Sequence, residues 1–250
     1  MTQSNFELFS IEGNIGSGKT TLLSLLKQRY SNDETVVFLK EPVDEWEKIK
    51  DSNGNTMLQK FYADQPTYSF AFQMMAYISR LKILRDVVQE AKQNPTNKYV
   101  IITERSLYTD KHVFAKMLHD QGNIEDVCYQ IYLNWFDEFA KDFPVNHTIY
   151  VKADPHNCYE RIHFRARTGE EHIPLGYLKD CHKYHEEFLD PIRGIKTNLM
   201  VLDGNIDIYK EKYVLTQWLK DIHEFLGKNN EPVFQNHSVT VSSPFTILSP

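Results

Sequence analysis

One octapeptide narrows the possible folds of this chain more than any other feature. Gly13-Asn14-Ile15-Gly16-Ser17-Gly18-Lys19-Thr20 matches G-x-x-x-x-G-K-[ST] at every fixed position. It follows a short apolar run, Phe6 to Ile11, and precedes Thr21-Leu-Leu-Ser-Leu-Leu26, whose leucines recur at helical spacing. The context is strand, loop, helix. Glycines let the backbone curl so that successive N–H groups point inward, and the helix start adds its dipole, which together make a cradle for phosphates. Lys19 brings a point charge and Thr20 a hydroxyl for Mg²⁺. The expected contacts to the phosphates of ATP are therefore Gly13, Asn14, Ile15, Gly16, Ser17, Gly18, Lys19, Thr20 and Thr21.

The remaining chain repeats the alternation of strand and helix. Thr35 to Leu39, Tyr99 to Thr103, Thr148 to Val151 and Leu199 to Leu202 are short and apolar with almost no polar alternation, as in strands buried on both faces. Between them, Tyr68 to Glu90, Ser106 to Leu118, Ile124 to Phe143, His156 to Arg167 and Leu175 to Phe188 have helical period. The expected fold class is α/β: a P-loop NTPase with a doubly wound, five-stranded parallel sheet flanked by helices, its ligands at the carboxyl ends of the strands. With 250 residues, 41% of them apolar, one domain over 1–226 is expected. Residues 227–250 turn to Asn, Ser and Pro without period and read as a flexible tail.

Charge and cysteine usage restrict the partners. A balance of 28 basic and 34 acidic residues, net −6, argues against polymeric nucleic acid, and no apolar run is long enough to span a bilayer. Cys128, Cys158 and Cys181 are scattered and odd in number, which reads as reduced thiols. The first residues carry no basic charge and lead straight into a strand, so a cytoplasmic protein is expected.

A P-loop serves switches as well as transferases. A guanine-reading N-K-x-D segment is not found; Asn97-Lys98-Tyr99-Val100 lacks the Asp and precedes a strand. Transfer of a phosphoryl group to a small acceptor needs a base, a residue that orients the acceptor hydroxyl, and cations for the charge on the transferring oxygens. Glu41 follows the second strand, Glu104 and Arg105 follow the third, and Arg161, Arg165 and Arg167 crowd the end of a helix. At a strand end, Glu104 offers a second group for the metal of a P-loop, a helix N-cap or solvated carboxylate being the alternative. From spacing alone the three arginines cannot share one helical face, and a solvated surface set remains the alternative.

At this point the motifs combine. The P-loop, Glu41-Pro-Val-Asp-Glu-Trp46, Phe72-Gln73, Glu104-Arg-Ser-Leu-Tyr-Thr-Asp110, Arg165-Ala-Arg167 and Ile173-Pro-Leu resemble, in order and over nearly the whole chain to about Leu226, the deoxyribonucleoside kinase family. The resemblance implies that Glu41 takes the proton of a 5′-hydroxyl, that Arg105 contacts the same hydroxyl, and that Glu104 serves Mg²⁺. It makes Arg161, Arg165 and Arg167 cations of an Arg-rich lid, with Arg165 also placed to stack on the donor's base. It gives the acceptor nucleobase to Gln73 and Phe114, with Phe72 and Trp46 as walls, and the sugar 3′-hydroxyl to Tyr62 and Glu170. Arg80 and Asp110 match the branch that handles deoxycytidine and deoxypurines: a buried Asp held by a cation accepts from an exocyclic amino group and faces a carbonyl if thymine enters. The family's homodimers imply a second subunit.

Two further features need a reading. His182 and His185 lie one turn apart next to Cys181, yet no second ligand pair has a sensible spacing, and they read as polar surface rather than a zinc site. The helix rich in aromatics from Tyr129 to Phe143 is apolar over more than one stripe, which suits either buried core or a face that pairs with a second copy. The rival functions are a nucleoside monophosphate kinase, which needs extra cations where this chain has Glu41 and Glu170, and a regulatory module that binds nucleotide without transfer.

Overall fold

The computed structural model describes residues 4–167, 169–170, 173–194 and 198–227. The expected tail lies outside the described residues, apart from Gly227. Five parallel strands, β1 (Phe6–Glu12), β2 (Val36–Leu39), β3 (Tyr99–Glu104), β4 (His147–Lys152) and β5 (Leu199–Asp203), form one sheet in the order β2-β3-β1-β4-β5. The chain moves outward from β1 to β2 and returns through β3, then crosses to β4 and β5. The winding therefore reverses around β1, and the crevice at its carboxyl end is where such a sheet binds ligands.

Side chains alternate across the sheet. Phe9, Ile11, Val100 and Ile102 face one side with Leu22 and Leu26 of α1 (Lys19–Arg29) and Leu215, Leu219 and Ile222 of α10 (Lys212–Phe225). Leu8 and Ile101 face the other side with Leu81, Leu84 and Val88 of α4 (Gln65–Gln93) and Tyr132 and Phe136 of α7 (Asp126–Ala140). A third cluster lies under the strand ends, where α3 (Met57–Ala63), α8 (Pro155–Arg165) and α9 (Leu175–Leu189) meet through Phe61, Cys158, Ile162, Leu178 and Cys181. All three cysteines are free thiols. Among the described residues no helix is long and apolar enough to cross a membrane.

Most expected elements appear within a few residues of their expected ends. The helix at Ser106 to Leu118 differs in kind. It begins as α5 (Leu107–Thr109), widens into a π-helical stretch at Asp110–Ala115, and closes as α6 (Lys116–Asp120). Its first turn is capped by Ser106, whose hydroxyl accepts from the Thr109 amide at 3.2 Å. The short helices α2 (Val43–Trp46) and α3, and the longer α10, lie outside the segments expected from periodicity.

The aromatic helix α7 has one buried face and one exposed apolar stripe. Tyr132 and Phe136 are buried, whereas Val127, Ile131 and Trp135, each one turn from the next, are exposed, as is Ile78 on α4.

Candidate active site

The loop between β1 and α1 wraps closely on its neighbours. At Gly13 (φ 144°) an added Cβ would lie 2.5 Å from the Val151 carbonyl oxygen, and at Gly16 (φ 78°) 2.6 Å from the Cys158 carbonyl oxygen. Both positions need glycine for conformation and for space. Asn14 locks the loop: its Nδ2 donates to the Leu178 carbonyl (2.8 Å), its Oδ1 accepts from the Ile15 amide (2.8 Å), and its carbonyl accepts from Lys19 Nζ (2.6 Å). Burial, with Arg105 nearby, lowers the Lys19 pKa to about 7.

One cavity of about 560 Å³ opens at the strand ends. Of the residues expected at the site, Ile15, Gly16, Ser17, Gly18, Lys19, Thr20, Thr21, Glu41, Trp46, Tyr62, Phe72, Gln73, Arg80, Glu104, Arg105, Asp110, Phe114, Arg161, Arg165, Arg167 and Glu170 all line it. Gly13 and Asn14 sit just behind it, as the contacts above describe.

The carboxylates and cations inside form a chain. Arg80, buried on α4, donates from Nε to Asp110 Oδ2 (3.0 Å), from Nη2 to Glu41 Oε1 (3.1 Å) and from Nη1 to the Glu104 carbonyl (2.7 Å). Glu41 also faces Arg105 Nε at 3.4 Å. Burial pushes the Glu41 carboxyl up, but Arg105, Arg80 and Lys19 together outweigh it and hold its pKa down to about 2. Asp110 pairs with Arg80, and burial pushes it up to about 6. Glu41 is therefore ionised at neutral pH.

Arg105 reaches this cluster by a strained turn. Its φ of 65° is in the left-handed region, where a residue other than glycine costs about 1–3 kcal/mol. The turn lets Nη1 donate back to the Gly13 carbonyl (2.8 Å) and sets the guanidinium over the Phe114 ring, 4.8 Å from its centroid. Asp110 and Phe114 both reach the cavity from the π-helical stretch, the kind of irregular turn that recurs at functional sites.

Beside the P-loop, Thr20 Oγ1 donates to Glu104 Oε1, while Glu104 Oε2 is buried without a partner. A hydroxyl and a carboxylate with spare oxygen capacity fit a hard cation such as Mg²⁺. At the far end, Trp46 packs edge-on to Phe72 (5.7 Å) and donates Nε1 to Ser79 Oγ (2.8 Å), and Phe72 stacks on Phe61 (4.5 Å). Gln73 lies among them with its Oε1 buried and unpartnered. Leaving a buried amide oxygen unsatisfied costs about 1–3 kcal/mol, so its position facing a cavity points to a ligand that donates to it.

The arginines at the end of α8 do not share a face, because the helix ends before the third of them. Ala166 takes a left-handed conformation (φ 49°), and Arg165 and Arg167 then converge on Glu170, the latter at 3.1 Å, while Arg161 donates to the Gly204 carbonyl (2.7 Å). All three line the cavity, although Arg165 is also exposed to solvent. Glu170 is thus engaged by two arginines near Tyr62, whose hydroxyl burial pushes well above its usual pKa. The segment after β5 supplies a wall that periodicity does not announce: Ile206, Asp207, Ile208 and Tyr209 line the cavity, as do Phe164 and Trp218. The rule that ligands sit beyond strand ends was the available signal.

His185 corrects an expectation. It is fully buried rather than on the surface, with its ring between Arg105 and the Cys181 carbonyl. Among the described residues no group of three or more metal-ligating side chains converges.

Comparison with known proteins gives the family. The family model described as deoxynucleoside kinase matches residues 9–227. The chain is 33% identical to a probable deoxycytidine kinase of Fowlpox virus, over 88% of each chain. It is 33% identical to the deoxycytidine kinase of Homo sapiens, over 87% of this chain and 90% of that one. It is also 33% identical to a mitochondrial deoxyguanosine kinase of Xenopus laevis, over 72% of each chain.

Proposed function

The chain belongs to the deoxynucleoside kinase family, and from that premise we propose that it transfers the γ-phosphate of Mg²⁺-bound ATP, or another triphosphate, to the 5′-hydroxyl of deoxycytidine or a deoxypurine nucleoside rather than thymidine. The observation that carries the reading is one cavity lined together by the P-loop, Glu41, Arg105, Asp110 and Gln73, whose amide oxygen is unpartnered.

The parts take their roles from chemistry. The triphosphate lies on the P-loop N–H groups and Lys19, with Arg161, Arg165 and Arg167 closing over it and its base against the wall after β5. The cluster of Lys19, Arg80 and Arg105 with Glu41, Glu104 and Asp110 has no surplus of positive charge, the more so because burial lowers the Lys19 pKa to about 7. An incoming triphosphate therefore needs further positive charge, which Mg²⁺ at Thr20 and Glu104 and the lid arginines provide. Once bound, the metal neutralises phosphate charge. Gln73 and Phe114 hold the nucleobase between the Phe72 and Trp46 walls, and Tyr62 and Glu170 hold the sugar. Glu170 then exchanges its arginine partners for the 3′-hydroxyl, which frees Arg165 and Arg167 for phosphate. Glu41, ionised and flanked by two arginines, accepts the 5′-hydroxyl proton while Arg105 orients that oxygen.

Base choice rests on Asp110, which accepts from an exocyclic amino group and repels the carbonyl of thymine. Removing one member of the Arg80–Asp110 pair strands the other charge, at about 3–5 kcal/mol. Replacing both, Arg80→Met with Asp110→Ala, creates apolar space for the thymine methyl. Because Arg80 also holds Glu41, turnover is expected to fall with every substrate, and the reading lies in the ratio. The kcat/KM ratio of thymidine to deoxycytidine should rise at least about tenfold. A wild type that prefers thymidine, or an unchanged ratio, sinks the assignment of base specificity.

The exposed stripe of Val127, Ile131 and Trp135, with Ile78 beside it in sequence-distant α4, is proposed to be covered by a second copy of the chain in a cytoplasmic homodimer. Sedimentation should give a dimer that Trp135→Glu dissociates. A monomeric wild type contradicts the proposal.

A further inference from the structure

His185 lies outside the cavity lining, on α9, yet it is among the most buried polar side chains of the protein. Its two ring nitrogens have different partners. Nδ1 is 2.7 Å from the Cys181 carbonyl oxygen, and Nε2 is 3.4 Å from Arg105 Nη1. A carbonyl can only accept and a guanidinium can only donate, so the partners fix the tautomer: the proton is on Nδ1, and Nε2 offers its lone pair to Arg105. The ring is neutral in this arrangement. Tyr150 lies parallel to the ring at 6.4 Å, and Phe114 meets it edge-on at 6.1 Å, so the ring plane is held from two sides.

The consequence falls on Arg105. Its Nη1 carries two hydrogens, and these have two acceptors, the Gly13 carbonyl and His185 Nε2. With that end anchored to the P-loop on one side and α9 on the other, the Nε edge is turned to Glu41. An arginine left to itself has rotamer freedom to lose on binding, and fixing it in advance removes that loss from the reaction. The same helix also holds the P-loop directly, since the Leu178 carbonyl accepts from Asn14 Nδ2.

We propose that His185 is a positioning residue for phosphoryl transfer: as a neutral acceptor anchored by the Cys181 carbonyl, it holds the Arg105 guanidinium in the orientation that serves Glu41 and the acceptor hydroxyl. This rests on the proposed role of Arg105. It gives α9, which touches no substrate through this residue, a direct mechanical link to the reacting end of the site.

Three substitutions separate the two hydrogen bonds. In His185→Gln the amide sits near the place of Nε2 and keeps an acceptor for Arg105 while losing the bond to Cys181. In His185→Asn the amide sits near the place of Nδ1 and keeps the donor while losing the acceptor. His185→Phe keeps the ring and loses both. The expected result is a fall in kcat of about tenfold or more for Asn and Phe, with the KM for ATP within about twofold, and restoration by Gln to within about threefold of wild type. In an Arg105→Met background the change His185→Asn should no longer lower kcat, because the group through which it acts is absent. Melting temperature, measured on all variants, reports any structural loss separately.

The proposal is overturned if the Gln and Phe variants lose turnover equally, or if the loss from His185→Asn persists undiminished without Arg105. The Gln and Phe pair decides the matter even should the Asn variant not fold. A wild-type enzyme that phosphorylates no deoxynucleoside contradicts the functional reading itself, whereas a competent wild type with indifferent His185 variants contradicts only this inference.

Discussion

Glu41→Gln is expected to lower turnover by about 10²- to 10⁴-fold while changing the acceptor KM much less, since the amide keeps the shape of the side chain and loses its capacity to take a proton. The local electrostatics sharpen this expectation. Arg105, Arg80 and Lys19 hold Glu41 ionised with a pKa of about 2, so at neutral pH it is always ready to accept a proton but is a weak base in the ground state. Phosphoryl transfer through a loose transition state suits such a group, because the hydroxyl becomes acidic only as its oxygen bonds to phosphorus. The amide also withdraws a negative charge from between two arginines, which damages their placement as well. Steady-state kinetics on the variant decide: a raised acceptor KM with intact turnover makes Glu41 a binding residue and places the base elsewhere.

Lys19→Ala is expected to cost about 10²-fold or more in turnover, since it removes the cation facing the charge that develops on the transferring oxygens. Nucleotide binding should survive in part, because the N–H cradle of the P-loop does not depend on the side chain. A pH signature accompanies it. The pKa of Lys19 is lowered to about 7, first by burial and then by Arg105, and phosphates bound beside it favour the ammonium form and raise that pKa. Above pH 7, binding therefore takes up a proton, and affinity for MgATP falls as the pH rises from about 7 towards the raised value in the complex, by up to about tenfold per unit. Calorimetry at pH 8.5 in buffers of different ionisation enthalpy should detect that proton in wild type and not in Lys19→Ala. Near wild-type turnover in the variant contradicts the P-loop assignment.

What the sequence makes legible here follows from how local each feature is. The phosphate loop is legible in full, since its glycines, its lysine and the flanking strand and helix all lie within one stretch of chain, and each answers a local geometric demand. Strands β1, β3 and β4 are legible because central parallel strands are mostly apolar and lack a regular polar alternation. Helix α10 was within reach as well: Val214, Leu215, Leu219 and Ile222 recur at the spacing of a helix that covers a sheet.

The contacts that organise the site are another matter. Arg80 and Asp110 were expected to pair, but the third partner, Glu41, lies 39 residues from Arg80, and no local pattern announces that one guanidinium holds both the base and the specificity carboxylate. The π-helical stretch that carries Asp110 and Phe114 leaves no mark in a hydrophobic period. Arg161, Arg165 and Arg167 resist a reading from periodicity because Ala166 turns left-handed and ends α8 before Arg167, and alanine gives no notice of it. His185 looked like surface for a related reason. A histidine among Lys183, Tyr184 and Glu186 on a helix reads as polar face, and only the approach of Arg105 from another strand end makes it a buried acceptor.

The most direct measurement of the central claim is the identity of the product when the protein is given ATP and Mg²⁺ with each of the four deoxynucleosides and, separately, each of their 5′-monophosphates. The account predicts 5′-monophosphates from deoxycytidine and the deoxypurine nucleosides, much less from thymidine, and no diphosphate from any monophosphate. Diphosphates formed from the monophosphates make it a nucleoside monophosphate kinase, and tight binding of ATP with no transfer to any acceptor makes it a binding module; either result contradicts the account.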